Sequence, residues 1–181
     1  VVFFCSGLRT RTRQLREAAM PRTSSLDAIL ATVEPPKTSI ERVQALMKIH
    51  KPRLVLMRGM PGAGKTTFVK QWCDSLDVKE TVVVSADSFF EDARGNYKFQ
   101  AYRLPEVHAC CRDAARTALA ANKLVIVDNT NMRARDVQDY LRMADNRVLT
   151  VDLQPRDKQG ASICAKRSVH APPDAALRMY E

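Results

Sequence analysis

Leu54-Val55-Leu56-Met57-Arg58-Gly59-Met60-Pro61-Gly62-Ala63-Gly64-Lys65-Thr66-Thr67 is the stretch on which the reading of this chain turns. With Arg53 it opens as a short apolar run, which suits a strand covered on both faces. Gly59 to Thr66 then fulfils the pattern G-x-x-x-x-G-K-[ST]. Lys65–Leu76 reads as the helix that follows, with Trp72 packing it onto the sheet. Glycines in such a loop let backbone N–H groups approach anionic oxygens with no Cβ in the way. The helix N-terminus adds free donors and a positive dipole end. The pattern therefore implies a cradle for the phosphates of ATP or GTP, built from Gly59, Pro61, Gly62, Ala63, Gly64, Lys65, Thr66 and Thr67. Within it Lys65 is expected to reach the β- and γ-phosphates, and the Thr66 hydroxyl to coordinate Mg2+.

Downstream the chain alternates short β-branched runs with longer helical ones. Thr81–Ala86, Leu124–Asp128 and Arg147–Asp152 read as strands; Leu104–Ala121, Ala134–Ala144, Lys158–Arg167 and Pro172–Tyr180 read as helices. Pro105 falls in the first turn of the longest, where its missing N–H costs nothing. Strands alternating with helices imply βαβ units. The expected fold is α/β, a three-layer sandwich with a mainly parallel sheet and helices on both faces.

Two acids stand at predicted strand ends. Asp128 closes LVIVD and resembles an acid that orients magnesium; Asp87 follows TVVVSA. In a parallel sheet the carboxyl ends of strands share one edge, where ligands bind. Asp87 is the better placed to accept a proton from an attacking hydroxyl, although an Asp there can also cap the next helix. Asn129, Thr130 and Asn131 add polar groups able to position phosphate or substrate.

The order LMRGMPGAGKTT, VSADSFF, YKF, VHACCRDAARTAL, VIVDNTN and RSVH resembles the polynucleotide-kinase-like group of P-loop proteins, with an AAA-type ATP-binding domain, from about Leu54 to Tyr180. The resemblance implies that Asp87 is the general base for an acceptor hydroxyl, that Lys65 and Thr66 bind ATP and magnesium, and that Asp128 lies near the metal. It also implies that Arg167 is a lid arginine over the triphosphate, able to stabilise charge on the transferring phosphoryl group. One departure concerns the acceptor: Phe90 stands where phage members of the group carry an arginine. Phe89 and Phe90 are expected to stack on a base or fill the core, and Arg94, Lys98 and Arg103 can replace the missing phosphate contact. His108 is taken as structural.

The bulk numbers set limits. Of a net charge of +9, residues 1–53 carry +6 (10 Lys/Arg against 4 Asp/Glu) and residues 54–181 carry +3 (19 against 16), so the excess sits before the nucleotide-binding region. The catalytic region itself does not demand a nucleic-acid acceptor on charge alone. No apolar run approaches the ~20 residues that span a bilayer. Cys5, Cys73, Cys110, Cys111 and Cys164 form no C-x-x-C pair and read as reduced intracellular thiols. Three units are expected: an arginine-rich extension over residues 1–24, a helical lead-in over 25–52 beside the first strand, and a kinase domain over 53–181. The extension is compatible with an organellar transit peptide, with Met20 as an alternative start. Location is thus cytoplasmic, or mitochondrial if the extension is genuine. The functional expectation is an ATP- and Mg2+-dependent kinase acting on a hydroxyl-bearing substrate, such as a 5′-hydroxyl polynucleotide. The alternatives are a non-catalytic or slowly hydrolysing ATP-binding module and a small-metabolite kinase.

Overall fold

The computed structural model describes residues 39–180 except 77–79, 93 and 95; the expected extension and the lead-in before residue 39 lie outside them. Helix α1 (Ser39–His50) leads into β1 (Leu54–Arg58), α2 (Lys65–Cys73) and β2 (Thr81–Val84). After two short 3-10 turns, Asp87–Phe90 and Ala101–Arg103, come α3 (Leu104–Ala120), β3 (Leu124–Val127), α4 (Ala134–Met143), β4 (Val148–Asp152), α5 (Lys158–Arg167) and α6 (Pro173–Arg178). The strands form one parallel sheet in the order β2-β3-β1-β4.

Side chains alternate across a strand, so each strand of a double-covered sheet must be apolar at every position. In β1, Leu54 and Leu56 face one way and join Val84, Val125, Val127, Ala115, Leu119 and Tyr140 under α3 and α4. Val55 and Met57 face the other way, into a cluster with Phe68, Val69 and Trp72 of α2 and Val43 of α1. Trp72 is fully buried, as expected for the residue that seats α2. The part of the lead-in that is described, α1, lies over β1 and β4 through Val43. Among the described residues no helix is long and apolar enough to cross a membrane.

The parallel strands are joined by crossovers through the helices, as parallel neighbours require. From β1 the chain moves two strands to β2 through α2 on one face; from β2 it returns to β3 and crosses to β4 through α3 and α4 on the other. The neighbours β1 and β3 therefore send their following segments to opposite faces. That divergence opens a crevice at their carboxyl ends, the place where ligands bind in open α/β sheets.

Several elements end earlier than their sequence implied. Helix α2 stops at Cys73, because the Asp74 and Ser75 amides and the Ser75 hydroxyl turn back onto its last carbonyls; Leu76 still packs into the core. Strand β2 stops at Val84 rather than Ala86, because the Ala86 N–H donates to the side-chain oxygen of Asn129 instead of continuing a ladder. Asp87 therefore begins a 3-10 turn three residues beyond the strand.

Candidate nucleotide and phosphoryl-transfer site

The loop after β1 is held open by its own fastenings. The Gly59 N–H donates to the Thr130 carbonyl (3.1 Å), the Met60 N–H to Oε1 of Gln154 (2.9 Å) and the Ala63 N–H to the Met60 carbonyl (3.2 Å). Among the described residues, the N–H groups of Gly62, Gly64, Lys65, Thr66 and Thr67 donate to no protein oxygen. Helix α2 begins at Gly64 with no side-chain cap and no acid in its first turn. By contrast, Asp157 caps α5 by accepting from the Gly160 N–H at 2.7 Å. Orphan donors converging on a positive helix end are an anion site.

Two glycines have separate physical reasons. Gly64, at φ +88°, adopts a backbone that other residues rarely reach, and the space beyond its missing Cβ is open, as a cradle requires. Gly62, at φ +77°, has the opposite surroundings: a Cβ would collide with the carbonyl of Cys164 in α5. Thus α5 packs directly on the loop, and Met60 and Ala63 join Ala161, Ala165 and Ala176 in a small-residue cluster that seats α5 and α6. Ala63, expected in the cradle, spends its N–H on the Met60 carbonyl, and its methyl belongs to this packing.

Lys65 rises from the start of α2, and its Nζ donates to the Met60 carbonyl at 3.1 Å. Burial pushes its pKa down, opposed by the negative charges of Asp128 and then Asp87. Asp128 is buried just past β3. Burial pushes its pKa up, opposed by a hydrogen bond with the Thr66 side chain and by the charge of Lys65. Its Oδ1 has no hydrogen-bond partner. A buried carboxylate oxygen left unpaired beside a hydroxyl is costly unless a ligand completes it, and a hard cation does so. Thr66 and Asp128 therefore fit Mg2+. Among the described residues no cluster of three His, Cys, Asp or Glu side chains could hold a metal. A cation here would depend on ligands from phosphate and water, as Mg2+ at phosphoryl-transfer sites does.

Asp87 stands exposed on the rim, close enough to act on Lys65 through its charge. Its Oδ1 accepts a hydrogen bond from the Tyr97 hydroxyl (3.0 Å). Tyr97 in turn stacks on His170, centroids 4.0 Å apart and 34° between planes. Burial and the adjacent Asp87 carboxylate push the Tyr97 phenol well above its ordinary range. Phe90 is core, packed with Val107 and Cys111, whereas Phe89 is 40% exposed. The ambiguity of that pair resolves as one of each.

The expected site residues thus divide. Lys65, Thr66, Asp128 and Asp87 meet at the crevice, with Gly59, Pro61, Gly62, Ala63, Gly64 and Thr67 forming the loop and first helical turn around them. Arg167 is exposed at the last position of α5, and the described residues show no hydrogen bond or ion pair for it. Asn129 and Asn131 have a role different from the expected one. Both are buried: Asn129 holds the Ala86 amide, and Asn131 Nδ2 donates to the Met57 carbonyl at 2.8 Å, so they tie strand ends together. The sequence does not single out Gln154 or Tyr97. Gln154 lies two residues past β4 at the ligand-binding edge, and Tyr97 lies in the YKF segment, but nothing in one dimension reveals what either touches.

A family model described as AAA domain matches residues 54–179, more than half of the chain. The chain belongs to that family. This AAA domain also superposes on a chain of the Pnkp1/Rnl/Hen1 RNA repair complex with a TM-score of 0.56 and 22% identity, covering 71% of this chain and 42% of that one. A second structure of the Pnkp1/Rnl/Hen1 complex matches at 23% identity and TM-score 0.47, over 56% of this chain and 35% of that one. A mutant of the Mycobacterium tuberculosis APS kinase matches at 14% identity and TM-score 0.41, over 59% and 81%. The fold is that of P-loop kinases, in keeping with the resemblance read from the motif order. The AAA domain spans well under half the length of the chain it matches in the repair complex.

Proposed function

We propose that this AAA domain is an ATP- and magnesium-dependent phosphotransferase that moves the γ-phosphoryl group to a hydroxyl acceptor. The observation that carries the reading is the meeting of an uncapped helix N-terminus, Lys65 and the unpaired Asp128 oxygen with a second, exposed carboxylate, Asp87, on one rim. The free amides and Lys65 hold the triphosphate and offset charge as it develops. Magnesium, held by Thr66 and Asp128, would neutralise charge on the phosphate oxygens. Asp87, exposed where an acceptor can arrive, takes the proton from the attacking hydroxyl oxygen. Arg167 acts from the end of α5, a helix that packs on Gly62.

The acceptor side favours a nucleic acid carrying a 5′-hydroxyl. Phe89, Phe99 and Tyr102 are exposed, at 40%, 51% and 79%, and Arg94 and Lys98 are exposed in the same segment. Exposed rings interleaved with cations match the way single strands are held, by base stacking and phosphate attraction. Labelled ATP offered with 5′-hydroxyl oligonucleotides and with a panel of small alcohols tests the reading. Transfer should occur to the oligonucleotides and fall by orders of magnitude in Asp87→Asn with ATP affinity retained. ATP binding without transfer to any acceptor would instead mark a non-catalytic nucleotide-binding module, and transfer confined to small alcohols a metabolite kinase.

A further inference from the structure

The Asp87 carboxylate sits in an exposed turn. Its only hydrogen-bond partner among the described residues is Tyr97. A general base must present its oxygen to the acceptor within hydrogen-bond reach and in a fixed direction. An unsupported aspartate in a solvent-exposed 3-10 turn would spread over several rotamers. The Tyr97 hydroxyl, 3.0 Å from Oδ1, selects one and leaves Oδ2 for the acceptor.

Tyr97 is itself anchored on three sides. Its backbone is bridged to Glu91 across the intervening loop, its ring edge packs on buried Phe90 at 6.1 Å between centroids, and its face stacks on His170. His170 follows Arg167 by three residues, in the bend between α5 and α6 that the Ser168 hydroxyl holds by accepting from the Ala171 N–H. The stacked pair joins the segment carrying Asp87 to the segment carrying Arg167. Two groups that must act on opposite ends of one transferring phosphoryl group are thereby registered through a phenol and an imidazole ring.

We propose that Tyr97 is the positioning residue of the acceptor side: its hydroxyl orients the Asp87 carboxylate, and its ring, stacked on His170, sets that carboxylate relative to the segment ending in Arg167. The inference rests on the phosphotransfer reading. It goes beyond that reading in naming a residue that touches neither nucleotide nor reacting atoms yet governs the rate.

The test measures steady-state phosphoryl transfer by the full chain to a 5′-hydroxyl oligonucleotide. The variants are Tyr97→Phe, Asp87→Asn, His170→Ala, Arg167→Ala and the two doubles. Tyr97→Phe keeps the ring and the stack and removes only the hydroxyl; kcat should fall about tenfold with KM for ATP and the unfolding midpoint unchanged. Because Tyr97 acts through Asp87, the Tyr97→Phe change should cost nothing further in the Asp87→Asn background, a non-additivity that a merely structural role would not produce. His170→Ala should lower kcat several-fold and be likewise non-additive with Arg167→Ala. Full kcat in Tyr97→Phe, or additive losses in the doubles, overturns this inference while leaving the phosphotransfer reading intact. A wild-type chain that transfers phosphate to no acceptor overturns both.

Discussion

Replacing Asn131 by alanine should destabilise the domain, by a magnitude that follows from its burial, backbone angle and hydrogen bond. Asn131 is 5% exposed and at φ +47°. Its Nδ2 donates to the Met57 carbonyl at 2.8 Å and lies 3.4–3.5 Å from the Asn129 and Val127 carbonyls. Alanine removes the donor and leaves a buried carbonyl under-satisfied, which costs about 1–3 kcal/mol. It also places a residue with no local side-chain hydrogen bond in the left-handed region, at about 1 kcal/mol. The sum is about 2–4 kcal/mol. For a domain of this size that is a fall in Tm of about 6–15 °C, measurable by urea or thermal denaturation. Asn131→Gly relieves the backbone cost but not the lost donor, and adds some chain entropy to the unfolded state. It should therefore fall between alanine and wild type. Asn131→Asp should be the worst, since it turns a carboxylate toward carbonyl oxygens. The reasoning is refuted if alanine and glycine both lie within about 0.5 kcal/mol of wild type, or if glycine is the less stable of the two. Nucleotide affinity should fall alongside, because this amide ties the strand that enters the phosphate loop to the strand that carries Asp128.

Three further outcomes follow from the same geometry. Gly62→Ala drives a methyl into the Cys164 carbonyl at a positive φ, so α5 must shift off the loop; nucleotide affinity by calorimetry should drop at least tenfold, whereas an unchanged affinity would show the loop and α5 to be independent. Asp128→Asn removes a buried carboxyl whose folded-state pKa is raised, chiefly by desolvation. A raised value means the proton is held more tightly in the folded state, so this group's favourable contribution is present at acid pH and is lost as pH rises through its folded pKa. The nucleotide-free variant should accordingly be more stable than wild type at pH 7.5, by a margin that shrinks on acidification, and should lose magnesium-dependent thermal stabilisation by ATP. Lys65→Met removes a buried ammonium whose pKa burial depresses; nucleotide-free stability should hold or rise in differential scanning fluorimetry while the ATP-induced shift in Tm disappears.

The strand–loop–helix unit from Leu54 to Trp72 was legible because its information is local. Apolar runs, glycines and a lysine at set spacing dictate conformation whatever surrounds them, and Lys158–Arg167 emerged with the boundaries its sequence implied. Element ends were less legible where a distant partner intervened. Asn129 captures the Ala86 amide from 43 positions away and so shortens β2, and no periodicity in TVVVSA encodes that. The asparagines after Asp128 looked like ligand groups because polar residues at a strand end are exposed to whatever binds there. Burial converts them into clasps: the Asn129 side-chain oxygen accepts from the Ala86 N–H, and the Asn131 side-chain N–H donates to the Met57 carbonyl, because buried polar groups pair with the backbone within reach.

The residues alone determined that this chain forms a parallel α/β sheet with a phosphate cradle, since short-range pattern and backbone sterics suffice for both. Only the tertiary structure decided that α5 rests on Gly62 and that Tyr97 joins Asp87 to His170. Those contacts bring together residues 73 and 102 positions apart, and the crossover order of the strands, not any local preference, sets the distances between them.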